Sequence, residues 1–276
     1  MIPFSFAYLA PDTLDEAVLA YAECTEDGQS PLYYAGGTEI ITKGRVNSIR
    51  FGAVIDLKHI PEMRGLYENE KQFIIGAAQT LNDIACWNRF PLLTKCCQRV
   101  ADHTAQCKIT LGGNIAGTVI YHEALLALIL AKATAVLFGP EGRRETVLSE
   151  LFTPKLSLKP GELLVQFMLD KRYADMDYIH VKHVESEKIG YPLFTLAAVA
   201  DGNVVRAAVS GLYAHPVWAD FALEDSAPAK GTLADTFKKQ ADEEVISDFM
   251  ASGEYRLFRL EQALHDMLEK LGESRQ

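Results

Sequence analysis

The 276-residue chain has few cysteines: Cys24, Cys86, Cys96, Cys97 and Cys107, with no C-x-x-C pair. Their odd number and irregular spacing argue against a disulfide framework and against an iron–sulfur or zinc site on this chain. They read as reduced, partly buried thiols, and no metal site is expected. Basic clusters are missing too. The 27 Lys and Arg against 37 Asp and Glu leave a formal net charge of −10. Nucleic acid and anionic membranes reward clustered cations, so neither is expected as the main partner. The longest apolar runs, residues 124–131 and 193–200, fall well short of the roughly 20 residues that span a bilayer. The first ten residues lack a basic start and run into Pro11, unlike a signal peptide, so a cytoplasmic location is expected. Neither G-x-G-x-x-G nor G-x-x-x-x-G-K-[ST] occurs. His122-Glu123 does not continue as H-E-x-x-H, which removes the common zinc-protease signature. No catalytic nucleophile or triad is marked by local sequence.

What is present is an ordinary globular composition, 49% hydrophobic and 23% charged, long enough for two compact units. Thr13-Leu14-Asp15-Glu16 has the form of a capping box and predicts a helix over 13–24. Short β-rich runs at 31–34, 53–57 and 73–77 predict strands. Helices are expected after Thr80 and after Pro91, then over 123–132 with a core stripe of Leu125, Leu126, Ile129 and Leu130. A strand at 135–138 ends in the turn Gly139-Pro140-Glu141-Gly142. Pro154, Lys155, Lys159, Pro160 and Gly161 mark a boundary. Beyond it, strand-like runs at 163–169, 178–184, 194–200 and 204–211 precede a loop at 221–231. Helices over 233–251 and 254–271 close the chain. His180 and His183 fall on opposite faces of a strand, which argues against a shared metal.

Two glycine turns carry the chemistry. In Ala35-Gly36-Gly37-Thr38-Glu39-Ile40 a strand feeds two glycines, then a hydroxyl residue, then an apolar helical turn. Such a turn aims backbone N–H groups at an anion, with Thr38 placed to cap the helix. Thr110-Leu111-Gly112-Gly113-Asn114 repeats the pattern. Either alone also reads as a plain turn; together they suit one extended dinucleotide.

The chain resembles the FAD-binding domain of molybdopterin dehydrogenases, the xanthine dehydrogenase and carbon monoxide dehydrogenase medium-subunit family. The resemblance rests on Ala35-Gly36-Gly37-Thr38-Glu39 and on Asp56-Leu57-Lys58-His59-Ile60-Pro61-Glu62-Met63-Arg64-Gly65, similar to the family's D-L-x-x-I-P-E-L-x-G. It continues through Ile74-Ile75-Gly76-Ala77-Ala78-Gln79-Thr80, Thr110-Leu111-Gly112-Gly113-Asn114-Ile115-Ala116 and Ala251-Ser252-Gly253-Glu254-Tyr255-Arg256. The motifs occur in order along almost the whole chain.

The resemblance implies an α+β fold: a two-part FAD-binding domain of the vanillyl-alcohol-oxidase/PCMH type at 1–155, divided near 58–62, then an antiparallel sheet with terminal helices at 161–276. It implies that FAD lies between the two, with residues 35–41 lining the diphosphate and flavin and with Thr110, Gly112, Gly113 and Asn114 holding the cofactor. Glu123 stands nine residues after Asn114, where the family has an aspartate, and reads equally as a helix N-terminal carboxylate. Lys182 matches a family lysine near the flavin ring, or is a solvent-facing strand lysine. Leu164 is an apolar wall for the ring, or core. The implied activity is electron transfer from iron–sulfur centres through FAD to NAD or another acceptor. The 2Fe-2S centres would sit on a small partner subunit and the molybdopterin on a large one. The alternatives are a stand-alone FAD oxidoreductase or an assembly subunit that has lost FAD. The chain departs from the family at Ala105-Gln106-Cys107, where I-R-N is usual, and at Val119, where a serine helps hold the cofactor.

Overall fold

A computed structural model describes the chain except residues 153–154, 185–189, 224–231 and 274–276. It forms two compact units whose segments alternate along the sequence. The first comprises Met1–Trp87, His103–Gly117 and Lys132–Asp170, and the second Asn88–Asp102, Thr118–Ala131 and Lys171–Gln276.

In the first unit, among the described residues, strands Ala7–Leu9, Ala53–Asp56 and Pro31–Tyr34 form a parallel sheet in that order. The central strand is buried along its whole length. Helix Leu14–Glu26 begins at the predicted capping box: Thr13 accepts from the Glu16 N–H, and the Glu16 carboxylate accepts from the Thr13 N–H. An antiparallel sheet follows, ordered Leu66–Glu68, Gln72–Gly76, Leu163–Asp170, Thr134–Gly139, Gly142–Val147. The strand that closes the unit in sequence therefore enters the middle of this sheet. Its approach is pinned by Arg144, which donates to both oxygens of the buried Glu162 at 2.6 and 2.8 Å.

The second unit is an antiparallel sheet ordered Val217–Ala222, Val204–Ser210, Pro192–Asp201, Tyr178–Val184. One face packs on helices Thr232–Ala241 and Gly253–Glu273 through Phe194, Leu196, Val205, Val209, Phe237, Leu260 and Leu264. The other face meets helices Pro91–Gln98 and Glu123–Leu130, supplied from earlier in the chain. That double cover explains two sequence features. Strand Pro192–Asp201 is apolar but for Thr195 and its last residue, and every residue but the last is buried, as expected of a strand covered on both faces. Helix Glu123–Leu130 is apolar nearly all round because all eight residues are buried, including the expected stripe.

The mixed fold with antiparallel sheets is the one expected, and two readings need correction. The helix expected over 233–251 ends at Ala241, where Asp242 adopts φ 51° and breaks the helical path. Phe221 and Ala222, read as loop, finish strand Val217–Ala222; residues 224–231 of that expected loop lie outside the described residues. The stretch before Gly112 holds the short helix His103–Gln106, and Leu111–Ala116 is itself helical.

Arg256, from the closing motif, is fully buried. It donates to the carbonyls of Leu193 at 2.6 Å and Gly211 at 3.4 Å, and to Asp248 at 2.7 Å. It thus ties helix Gly253–Glu273 to two strand ends. Burial acts to raise the Asp248 carboxyl, but bonds from Arg256 and the Met250 and Ala251 N–H groups outweigh it and hold it below the usual range. A carboxyl lowered by folding stabilises above its unfolded value, and that contribution is lost as pH falls through the folded one. Arg256→Met should therefore cost about 3–5 kcal/mol near neutral pH, by denaturant melts. The gap from the parent should narrow as the pH drops below the carboxylate range; equal melting midpoints at neutral pH would refute the tie.

Candidate functional site

The first glycine turn leaves strand Pro31–Tyr34 and starts helix Thr38–Arg45. Gly37 holds φ 68° and is the N-cap, with no side-chain hydrogen bond closing the first turn. Thr38 is thus not the cap expected from the sequence but the first helical residue. Uncapped first-turn N–H groups and the helix dipole together make a site for an anionic oxygen. Gly36 is required by close packing and Gly37 by its left-handed backbone. A Cβ on Gly36 would run into the Lys108 carbonyl, and one on Gly37 into the Tyr34 ring.

Beside this turn stands a cluster that the sequence reading missed. Lys58 donates to both Asp56 oxygens at 2.7 and 2.6 Å and to the Ala35 carbonyl at 3.0 Å. Its ammonium also lies 4.5 Å from the centre of the Tyr34 ring. The Tyr8 hydroxyl donates to the same carboxylate. Burial acts to raise Asp56, but the bonds from Lys58 and Tyr8 prevail and hold it below its ordinary value. The bond to Asp56, followed by burial, pushes the Tyr8 hydroxyl up to about 12. One signal was available: a carboxylate and an ammonium two residues apart at the end of a buried strand.

The second turn is in the same unit. Thr110 is extended and buried, and its hydroxyl oxygen accepts from the Gly113 N–H at 3.3 Å, capping helix Leu111–Ala116. The turn is fixed by the Leu111 N–H to Gln79 carbonyl bond at 2.9 Å and by that from the Gly112 N–H to Ala77 at 2.8 Å. A Cβ on Gly112 would come within 2.8 Å of the Ala77 methyl. Gly113 is exposed and Asn114 half-buried. The two turns meet where Gly36 packs on Lys108, and again where the Glu39 carboxylate approaches Gly117. Ala35, Gly36, Gly37, Thr38, Glu39, Ile40, Thr110, Gly112, Gly113 and Asn114 are thus assembled within one unit. An uncapped helix start beside a second glycine turn suits a dinucleotide's diphosphate. Leu164 is buried opposite Leu137 in the antiparallel sheet, in accord with its reading as core.

In the second unit, Glu123 opens its buried helix with a side chain 3% exposed, and the Lys182 side chain is 6% exposed. Lys182 donates to Glu123 Oε1 at 3.1 Å and to the Arg99 carbonyl at 2.6 Å. The solvent-facing reading of Lys182 is therefore wrong: alternation along Tyr178–Val184 turns it toward the helix-covered face. Burial pushes the Glu123 carboxyl up, against the pull of Lys182. His180, on the same face, is held down to about 4, chiefly by burial and then by Arg99, Lys95 and Lys182. Val119 is 39% exposed.

Residues 4–169 match the model of the FAD binding domain in molybdopterin dehydrogenase. The chain belongs to that family. It is 30% identical over 172 residues to the carbon monoxide dehydrogenase medium chain of Hydrogenophaga pseudoflava, covering 60% of this chain and 59% of the relative. The nicotinate dehydrogenase FAD-subunit of Eubacterium barkeri is 24% identical over 175 residues, 60% of this chain and 58% of that protein. The aligned stretch is thus under two thirds of these relatives' length. In fold, carbon monoxide dehydrogenase from Hydrogenophaga pseudoflava, in a form lacking the Mo-pyranopterin moiety of the molybdenum cofactor, superposes with a TM-score of 0.82 at 24% identity. That superposition covers 98% of each chain.

Glu123→Gln would strip Lys182 of its counter-charge inside the second unit. The expected cost is roughly 3–5 kcal/mol of stability, read by chemical denaturation. A loss of only a few tenths of a kcal/mol, as for an exposed pair, would show that the pair does not hold its unit together.

Proposed function

We propose that this chain is the FAD-carrying, electron-transfer subunit of a multi-subunit molybdenum hydroxylase. The observation that carries the reading is the uncapped start of helix Thr38–Arg45 behind Gly36-Gly37, packed against a second glycine turn. Family membership says what such a site takes. Bound there, FAD supplies the redox chemistry, while the protein supplies binding, orientation and electrostatics. Backbone N–H groups of Thr38, Glu39 and Ile40 meet the diphosphate. Lys58 fixes the turn through the Ala35 carbonyl, and the exposed edge of Gly113 and Asn114 holds the cofactor's other side. The role proposed for Lys182 and Glu123 rests on the family resemblance of their positions. As a compensated pair they offer a fixed dipole instead of a net charge.

The proposed route brings electrons from iron–sulfur centres on a small partner subunit, after oxidation of substrate at molybdopterin on a large subunit. They leave for NAD or another acceptor. The five free cysteines follow no cluster spacing, and no group of metal ligands occurs among the described residues, which fits that division of labour. No helix among the described residues is long and apolar enough to cross a membrane; the location proposed is cytoplasmic. A second reading, an assembly subunit that has lost FAD, is favoured by one observation. The space beside Gly36 and Gly112 is taken by the protein's own atoms, so those glycines serve packing whether or not a cofactor binds.

The deciding experiment is an absorption spectrum of the purified chain before and after excess FAD and desalting. Retained flavin bands that bleach with dithionite, together with co-purification of two partner chains, are the expected result. No retained flavin in the reconstituted complex would hand the function to the assembly reading. Lys58→Met should weaken FAD retention roughly tenfold, the value of a charge-assisted hydrogen bond, whereas Lys58→Arg should largely keep it. Equal retention in all three proteins would remove Lys58 from the site.

A further inference from the structure

The two faces of strand Tyr178–Val184 are unlike. Lys182 and His180 point to the helix-covered side, whereas Ile179, Val181 and His183 face helix Gly253–Glu273 and line a cleft of about 420 Å³ with it. The strand is the last of its sheet among the described residues, so the helix only partly roofs it and the cleft stays open. Its floor is apolar, from Ile179, Val181, Ala263 and Met267; its rim is polar. Arg259, Gln262, Asp266 and Lys270 recur at helical spacing along one side of the helix, with His183 opposite them on the strand.

Among the described lining residues, two basic side chains, Arg259 and Lys270, accompany one carboxylate, Asp266. His265 is drawn away to Glu261 at 3.1 Å. No carboxylate among the described residues pairs with Arg259 or Lys270, and the buried Arg259 Nε meets no acceptor. Arg259 is half-exposed with only its Nε covered, and a planar carboxylate is the group that best suits the remaining guanidinium donors. The His183 ring is stacked on Phe194, centroids 5.4 Å apart, which fixes one wall of the cleft. The volume lies within the ~300–1,000 Å³ typical of small-molecule sites, where an apolar lining with a few placed polar groups is the rule.

We infer that this cleft binds a small amphiphilic carboxylate, its apolar body on Ile179, Val181 and Met267 and its carboxylate between Arg259 and Lys270. The site is separate from the glycine turns and does not depend on FAD being bound there. A ligand here would touch the strand that carries Lys182 on its reverse side, so it would be sensed next to the Lys182–Glu123 pair.

The test is calorimetric titration of the full chain with benzoate, benzamide and inorganic phosphate, with Arg259→Gln and Lys270→Gln variants checked for parental circular dichroism. Benzoate should bind, benzamide should not, and phosphate should bind more weakly for want of an apolar body. Each variant should lose affinity for benzoate by about tenfold. Using two variants covers the case in which one misfolds. The inference is overturned if benzoate gives no heat at millimolar concentration, if benzamide or phosphate matches it, or if both folded variants bind it as the parent does.

Discussion

The candidate site in the first unit hangs on one buried carboxylate. Asp56 ends the innermost strand of the parallel sheet, where burial alone would drive it toward the neutral form. It stays charged because Lys58 and Tyr8 both donate to it. A lysine held by a carboxylate two residues earlier has its ammonium fixed in place, and that ammonium also holds the Ala35 carbonyl. The carbonyl in turn orients the peptide entering Gly36. Parallel strands Pro31–Tyr34 and Ala53–Asp56 end on the same edge, so their outgoing loops are neighbours. Ligands of open α/β sheets gather at that edge. Through Lys58, Asp56 links the two loops.

The glycines owe their identity to chain packing as much as to any ligand. Gly36 is needed because the Lys108 backbone lies against it, and Gly112 because Ala77 does. Bringing two turns this close leaves no room for side chains between them, while the N–H groups of the second turn are taken up by Gln79, Ala77 and Thr110. Gly37 differs: its left-handed backbone turns the chain into the helix without a capping side chain. A serine or aspartate at that position would satisfy the first turn internally and compete with an anion for the same N–H groups. The absent cap is thus the feature that leaves the helix start open for binding.

Much of this was legible in the sequence, and the parts that were not share a cause. The capping box at Thr13, the apolar run of residues 193–200 and the glycine turns are local patterns, and each became the element it signalled. Strands Ala7–Leu9, Leu66–Glu68 and Val217–Ala222 went unread because they are short and owe their pairing to distant partners. The helix read as running to residue 251 continued the apolar spacing past Ala241, where a single left-handed aspartate ends it. Within the site, the turns were visible but Lys58 was not, because its meaning depends on the Ala35 carbonyl 23 residues away. Lys182 shows the converse. Its position was visible, but its burial required knowing that helix Glu123–Leu130 would cover that face.

The Glu123–Lys182 pair also limits the net charge that the lysine presents. A bare buried ammonium would favour an anion nearby but would be costly to hold. Paired with a carboxylate whose own ionisation is resisted by burial, it keeps that cost down and loses most of its long-range field. Its effect on a neighbouring group then depends on how firmly Glu123 stays ionised. Any change that further desolvates Glu123 favours its protonation and leaves the lysine charge uncompensated. His180, on the same strand face, adds no charge to this balance, because burial and the surrounding cations hold it neutral over the physiological range. The charge offered by this face of the second unit is therefore set by one carboxyl, whose ionisation rests on the cover provided by helix Glu123–Leu130.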